Sequence, residues 1–236
     1  MMKKYAVIFI LSLWTLVFAA CNSDVVREEI VDLPDETWNK EKAVECEFEI
    51  DDVESYYTLV ADVRNTTDYP YRNLYCFLDI TLPDGKVSRD TVQFILAAPS
   101  GEWYGTGRRL KDRGYYFAAD SKFVATTRQI KGYVPYSVAT FSGQGKHPFR
   151  FEPLIVPLKV KLNGNTTDVT ECYPVKVKFP QKGKYKFSFR QAMRETDLKG
   201  MASFGLSVRR YNEDALTQAI QKENKRRLKK FEEQQN

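Results

Sequence analysis

The residues that could support covalent or metal chemistry in this 236-residue chain are four cysteines and a single histidine. His147 stands between Lys146 and Pro148, so a Ser-His-Asp or Cys-His arrangement has one place to form. A zinc site lacks ligands, because the chain has neither a CxxC pair nor a second histidine. Carboxylates fall at turns and strand ends, with nothing to mark the pair that a glycosidase needs. We therefore predict no catalytic residue, no cofactor and no metal site.

Cys21 is the cysteine whose surroundings indicate a reaction. Two lysines precede an apolar run over residues 5–20, which ends in two alanines directly before Cys21. A basic start, one hydrophobic stretch and small residues at its end are typical of a secretory signal peptide, here residues 1–20. The run is shorter than the ~20 residues that a transmembrane helix requires, and polar residues follow at once.

Residues 18–21 resemble the lipobox of bacterial lipoproteins, in which the cysteine thiol is acylated and becomes the mature N-terminus. Phe18 stands where this motif usually has leucine. We predict that Cys21 is the lipidation site and ties the chain to a membrane, since two or more acyl chains hold a protein stably on a bilayer. Two alternatives stay open: a cleaved signal that leaves Cys21 an ordinary thiol, and a permanent N-terminal anchor helix.

The three further cysteines, Cys46, Cys76 and Cys172, leave at least one free thiol because their number is odd. Export permits a disulfide between two of them. Cys46 and Cys76 each lie on the apolar side of an alternating segment, so burial as small hydrophobic residues fits the sequence as well as a bridge does. The pairing stays open.

Composition limits the class of partner. Removing the signal peptide takes away two lysines, so the formal charge falls from +5 to about +3. This mild excess is unlike the clustered basic surface of a nucleic-acid-binding protein. The roughly 215 remaining residues suffice for one large domain. The 14 tyrosines and 15 phenylalanines favour β-structure.

Alternation with a period of two predicts strands along most of the chain. The apolar series run over residues 44–50, 57–63, 74–80, 92–96, 123–130, 154–162, 175–179, 185–189 and 204–208. The first four follow one another without intervening helices, which predicts an all-β antiparallel sandwich, with a jelly roll as one arrangement that fits. Residues 191–198, between the last two series, could form one or two helical turns. Residues 21–40 are predicted to be a lipid-anchored tether, 41–211 the sandwich and 212–236 a charged C-terminal helix.

Short segments with a characteristic order and spacing run along this sandwich. They are YTLVADVR (57–64), YPYRNLY (69–75), LPDG (82–85), DT (90–91), LA (96–97), GEWYGTG (101–107), FP (179–180), GKY (183–185), QAMR (191–194), LKG (198–200) and FGL (204–206). Together they resemble the GldH family, gliding-motility lipoproteins of the Bacteroidetes, over about residues 38–119 and 173–210. By this resemblance, about 120–172 is a β-rich insertion and the tail past 211 is extra. The resemblance implies a non-enzymatic component of the gliding-motility and type IX secretion-associated envelope machinery.

Four features admit both a functional and a structural interpretation, and we favour the structural one for each. The glycine segment 101–107 could present Trp103 to a partner, or form a tight connection that places Trp103 in the core. Tyr69-Pro70-Tyr71 could stack on a ligand or turn a hairpin corner. The basic run 108–113 and the basic C-terminal helix could meet anionic partners or lipid, or be solvated.

We expect a lipid-anchored envelope protein at the outer membrane rather than the inner one, with its domain facing the periplasm or the cell surface. Other envelope proteins are the expected partners, and nucleic acid is not. The alternative is a surface carbohydrate-binding lipoprotein, which requires exposed coplanar rings. The candidates for such rings are Tyr115, Tyr116 and Trp103, and their burial would count against this alternative.

Overall fold

A computed structural model describes residues 24–118, 138–141, 147–162 and 164–233. The predicted signal peptide, Cys21 and the strand predicted at 123–130 lie outside the described residues. The described part contains thirteen strands and one α-helix. These are β1 (Val25–Asp32), β2 (Thr37–Asn39), β3 (Val44–Ile50), β4 (Tyr57–Thr66), β5 (Asn73–Thr81), β6 (Val87–Ile95), β7 (Leu110–Ala118), β8 (Val138–Phe141), β9 (Arg150–Leu162), β10 (Asn165–Lys178), β11 (Gly183–Gln191), β12 (Asp197–Lys199), β13 (Met201–Arg210) and α1 (Glu213–Glu233).

The alternation of apolar and polar residues that predicts the strands matches the alternation of buried and exposed residues in the structure. In β3 the even-numbered residues are apolar and buried, and the three glutamates between them are exposed. Successive side chains of a strand point to opposite faces of the sheet, so each such series covers one buried face. The same pattern recurs in β5 and β11.

The strands join in the order β1-β13-β4-β7-β8-β6-β5-β11-β3, and β7 and β8 form a parallel pair in an otherwise antiparallel path. The path folds over, so β1, β13, β4 and β7 face β3, β11, β5 and β6. Phe204 of β13 spans the interior: its ring centroid lies 5.0 Å from that of Phe189 in β11 and 5.7 Å from that of Phe94 in β6. The predicted antiparallel β-sandwich is confirmed.

Aromatic rings fill the space between the two layers. Those with almost no exposed surface include Trp38, Tyr57, Phe94, Tyr115, Phe117, Phe141, Tyr185, Phe187, Phe189 and Phe204. Many of them meet edge to face or tilted, the geometries that aromatic pairs prefer. This aromatic core holds the sandwich together.

A second and smaller core lies beside the sandwich. β9 and β10 form a long hairpin, and α1 packs against it; we call these three elements the hairpin unit. Their shared core comprises Leu154, Val156, Leu158, Val160, Tyr173, Val175, Leu216 and Ile220. The predicted C-terminal helix is confirmed over Glu213–Glu233. No helix among the described residues has the length and apolar composition of a membrane span.

The tether predicted for residues 21–40 is wrong from Val25 onward. β1 pairs with β13 along its whole length, and the side chains of Val26 and Val31 pack on the core. β2 pairs with β12, and its Trp38 is fully buried. β1 is an edge strand whose inner face is only partly covered. Charged residues therefore occur at several of its positions, and its sequence lacks the regular apolar–polar alternation of the other strands.

The one or two helical turns predicted for 191–198 are also wrong. The side chain of Gln191 accepts a hydrogen bond from the N–H of Met193 at 2.9 Å and donates one to the backbone oxygen of Glu195 at 2.8 Å. A side chain that bonds nearby backbone groups in this way competes with helix formation. The segment bends and continues directly into β12.

Candidate functional site

The start of the described chain is fixed at one end of the sandwich, where β1 begins, β13 ends and β4 begins. The backbone oxygen of Asp24 accepts a hydrogen bond from the N–H of Arg210 at 2.6 Å, and its carboxylate accepts one from the Asn212 amide at 3.3 Å. We call residues 24–25, 51–57 and 209–213, with Lys176 and Lys178 beside them, the anchor end. Cys21, the predicted lipidation residue, lies outside the described residues, three positions before Asp24.

Tyrosines and lysines meet at the anchor end. The rings of Tyr56 and Tyr211 lie edge to face, with their centroids 6.5 Å apart. The ammonium of Lys176 lies 5.0 Å from the Tyr211 centroid, and that of Lys178 lies 5.5 Å from the Tyr56 centroid. These are cation–π distances. Both tyrosines are half-buried, so part of each residue is exposed to solvent.

Towards the opposite end, a groove runs between the glycine segment 101–107 and α1. A cavity of about 370 Å³ is lined by Tyr104, Asp112 and Arg113 from the sandwich and by Lys222 and Arg226 from α1. The guanidinium of Arg113 lies 5.4 Å from the Tyr104 centroid and donates a hydrogen bond to the Tyr104 backbone oxygen. Both signs of charge line the groove, so it offers no single preference for anions or cations.

The glycines of 101–107 are required by the tight path of this segment. Gly107 has a φ of +116°, and a Cβ there would lie 2.2 Å from the Leu110 backbone oxygen. A Cβ on Gly105 would lie 2.8 Å from the Lys111 Cβ. Trp103 is half-buried and packs on the sandwich core. The tight connection that we favour is confirmed, but Trp103 packs against the core as a half-buried side chain instead of lying within it.

The corner at residues 69–71 and the basic run at 108–113 also have structural roles. Tyr69 is buried, and its hydroxyl donates a hydrogen bond to the Asn73 backbone oxygen at 2.9 Å. The guanidinium of Arg109 bonds the Glu36 carboxylate at 2.6 Å, and Arg64 pairs with Asp112. Glu36 therefore neutralises Arg109 of the basic run, whereas Arg64, from outside the run, pairs with its acidic residue Asp112.

The rings considered for a carbohydrate platform do not form one. Tyr115 is buried, and its hydroxyl donates a hydrogen bond to the Ile95 backbone oxygen at 2.9 Å. Tyr116 packs against the core of the hairpin unit, and Trp103 against that of the sandwich. These placements count against the carbohydrate-binding alternative.

A pair of carboxyl groups that sequence reasoning missed meets at Ser207, on the outer face of β13. The Ser207 Oγ lies 2.9 Å from both Glu28 Oε1 and Asp62 Oδ2. A hydroxyl has one hydrogen to donate, so the second contact is a hydrogen bond only if a carboxyl group carries a proton. Burial raises the pKa of Asp62, against the smaller opposing effects of Ser207 and Arg209. Asp62 is therefore the group that favours the proton.

His147 lies in an aromatic cluster rather than in a catalytic arrangement. Its ring centroid is 4.7 Å from that of Phe141 and 5.2 Å from that of Phe151. Burial lowers its pKa, which favours the neutral ring. Within the described ranges, no three histidines, cysteines or acidic residues lie close enough together to hold a metal ion.

The cysteines that the structure describes are buried. Cys46 and Cys76 are free thiols inside the sandwich, and burial raises the pKa of the Cys46 thiol to about 11. A raised pKa keeps the thiol protonated and unreactive at neutral pH. The side chain of Cys172 is outside the described ones.

An exposed aromatic pair lies on the outer face of β5. Tyr75 is 37% exposed and Phe77 is 48% exposed. Beside them the Asp79 carboxylate accepts hydrogen bonds from Arg89 at 2.5 and 2.7 Å and from Arg190 at 3.0 Å. These bonds lower the pKa of Asp79 and fix the two guanidinium groups next to the rings. We call these five residues the aromatic face.

Comparison with known families accounts for most of these strands. The sequence model of the GldH lipoprotein family matches residues 25–130 and 161–208. The chain belongs to the GldH lipoprotein family. A GldH relative described as a gliding motility lipoprotein GldH homolog, from Christiangramia forsetii, is 31% identical over 125 residues, which are 52% of this chain and 75% of that protein. The gliding motility lipoprotein GldH of Flavobacterium johnsoniae is 28% identical over 115 residues, 48% of this chain and 72% of the relative. No solved structure matches the chain.

The residues covered by the GldH match can be compared with the features described above. It includes β1, the aromatic face and the glycine segment, and it excludes α1. Its interruption, residues 131–160, is narrower than the insertion expected at about 120–172. Where the structure describes it, the interruption contains β8 and most of β9, so it supplies most of one strand of the hairpin.

Proposed function

We propose that the chain is a membrane-anchored lipoprotein that acts as a non-enzymatic component of the gliding-motility and type IX secretion-associated envelope machinery. Its membership of the GldH lipoprotein family and the gliding motility names of its relatives support this role. The signal peptide and Cys21 supply the anchor. We further propose that the anchor lies in the outer membrane.

The aromatic face is the observation that supports a protein-binding role rather than an enzymatic one. Outward positions of an antiparallel strand normally carry polar residues, yet Tyr75 and Phe77 stand there. Exposed rings next to arginine are the residue types that dominate the binding energy of protein interfaces. The Asp79 bonds hold Arg89 and Arg190 in place before a partner arrives, which reduces the entropy lost on binding.

Cross-linking of the tagged, full-length protein in its native cells, followed by affinity capture and mass spectrometry, tests the role. We expect motility or secretion components among the captured proteins, and a roughly tenfold loss with Phe77→Ser. Ile155→Ser is the matched control, since Ile155 is 55% exposed on the hairpin unit, away from this face. Capture dominated by a polysaccharide-uptake protein would instead favour the carbohydrate-binding alternative.

Lipidation is tested separately. Intact-mass analysis of the mature protein is expected to show fatty acyl groups, and Cys21→Ser is expected to remove them and release the domain from the membrane fraction. Density separation of the two membranes then tests the outer-membrane assignment. A mature wild-type chain without acyl groups would refute the anchor.

A further inference from the structure

The chain between the predicted lipid and the fold is very short. β1 begins at Val25, and Asp24 is already bonded to Arg210. Three residue steps separate Cys21 from Asp24, and an extended chain spans at most about 3.3–3.6 Å per residue, or roughly 10 Å in total. A lipid on Cys21 therefore leaves the anchor end no room to move far from the bilayer surface.

The side chains at the anchor end suit that location. Tyrosine and lysine are residues that lie at the headgroup level of membranes, with rings and alkyl stems towards the acyl chains and polar ends in water. Here Tyr56 and Tyr211 are stacked against Lys176 and Lys178 at the place where the chain leaves for Cys21. The short connection between Cys21 and Asp24 and the residue types at the anchor end are independent observations. Both indicate that the anchor end lies at the membrane surface.

The charges at the anchor end are largely balanced. The ammonium of Lys176 lies 3.4 Å from the Glu213 carboxylate, and that of Lys178 lies 3.2 Å from Glu54. The guanidinium of Arg210 lies 3.8 Å from carboxylate oxygens of Asp51 and of Asp52. A nearly neutral surface does not need anionic lipid, so a zwitterionic headgroup layer is the matching partner.

We propose that the domain rests on the phospholipid headgroups by its anchor end, with the end that carries residues 101–107 directed away from the membrane. This inference rests on the proposed function, because the acylated Cys21 supplies the attachment. It goes further by fixing which end of the sandwich contacts the lipid and which end is left for partners. The contact is with headgroups, since the anchor end keeps its charged groups in water.

Two tyrosines provide a matched test. Tyr211 at the anchor end and Tyr71 at the opposite end are both half-buried, and each hydroxyl donates a hydrogen bond to a glutamate, Glu213 and Glu195 respectively. Tyr211→Trp and Tyr71→Trp each add one indole to an acylated chain whose tryptophans at 38 and 103 lie away from the anchor end. The mature variants are reconstituted in phosphatidylcholine vesicles that contain a headgroup spin-labelled lipid as quencher.

We expect a roughly twofold loss of the added emission for Tyr211→Trp and little loss for Tyr71→Trp, because only the anchor end lies among headgroups. Tyr56→Trp serves as a second anchor-end variant if the first does not fold. Equal quenching of the two indoles, or stronger quenching for Tyr71→Trp, would overturn the orientation. A flexible insert of about ten residues between Ser23 and Asp24 should relieve the quenching, since such a chain spans roughly 15–20 Å.

Intact-mass analysis of the same samples separates the two proposals. An acylated chain with equal quenching refutes the orientation and leaves the lipoprotein assignment standing. A chain without acyl groups refutes both.

Discussion

The sandwich and the hairpin unit bury their interiors in different ways. The sandwich interior consists mainly of aromatic rings drawn from both layers, whereas the hairpin unit packs mostly aliphatic side chains from β9, β10 and α1. The GldH match covers nearly all of the sandwich strands but leaves out α1 and β9 as far as residue 160. The hairpin unit, part of which lies outside the GldH match, thus has a small core of its own. Four experiments, with five substitutions, test the sandwich and the hairpin unit separately.

The largest effect is expected from Phe204→Ala in the sandwich. Phe204 is fully buried and meets the rings of Trp38, Phe94 and Phe189 across the interior. Its truncation leaves a cavity between rigid rings and should lower the free energy of unfolding by about 3–5 kcal/mol. Urea denaturation of the mature chain measures this. A loss below about 1 kcal/mol would mean that the interior collapses around the gap.

Ile220→Ala tests the hairpin unit. Ile220 lies on α1 and is buried against β9 and β10. We expect a local loss of about 2–4 kcal/mol, seen as faster hydrogen exchange in β9, with exchange in β4 and β13 unchanged. Equal acceleration in the sandwich strands would show that both cores unfold as one unit.

Two glycines with nearly the same positive φ sharpen the comparison. Gly200 beside the sandwich has a φ of +83° and Gly164 at the hairpin tip one of +84°. A Cβ at Gly200 would lie 2.7 Å from the Tyr69 Cα, whereas at Gly164 it would meet nothing within 4 Å. Both alanine variants would have nearly the same positive φ, so the contact with Tyr69 should make Gly200→Ala cost about 1–3 kcal/mol more than Gly164→Ala. Equal thermal shifts of the two variants would contradict this.

The smallest effect is expected from Asp62→Asn, at the carboxyl pair on Ser207. The folded pKa of Asp62 is raised, so its contribution to stability is present below the unfolded pKa and is lost as the pH rises through the folded pKa. An amide imitates the protonated group, so the variant should be more stable than wild type at pH 7, by up to about 1 kcal/mol. Thermal melts at pH 7 and at acidic pH should show this advantage shrinking on acidification. A loss of stability at pH 7 would show that Ser207 requires the carboxylate.

The sequence predicts the sandwich strands well where one face is fully buried. β3 and β5 alternate without a break, and their positions agree with the structure. β1 escaped prediction because its pairing with β13 involves residues nearly the whole chain apart, and charged side chains stand at its half-covered positions. The bend after Gln191 escaped because side-chain bonds within a few residues, invisible to periodicity, replace a helical turn.

The candidate surfaces also differ in how far the sequence alone predicts them. The aromatic face can be inferred from the sequence alone, because Tyr75 and Phe77 alternate with the inward residues of a predicted strand and must point outward. The sequence alone does not predict the contact of Ser207 with Glu28 and Asp62, since three strands bring these distant residues together. The anchor end depends likewise on β1 joining the sheet directly, which the predicted tether hides.

The position of β1 also bears on how the domain carries mechanical load. β1 ends the strand order and is hydrogen-bonded along one side, to β13. Traction transmitted through residue 21 would enter at Val25 and act along β1, so a partner held at the opposite end would load the hydrogen bonds between β1 and β13 in shear, together rather than one pair after another. Forced unfolding follows the slowest barrier that the load must cross. The seam between β1 and β13 would therefore resist such a load with many hydrogen bonds at once, instead of opening at the first one.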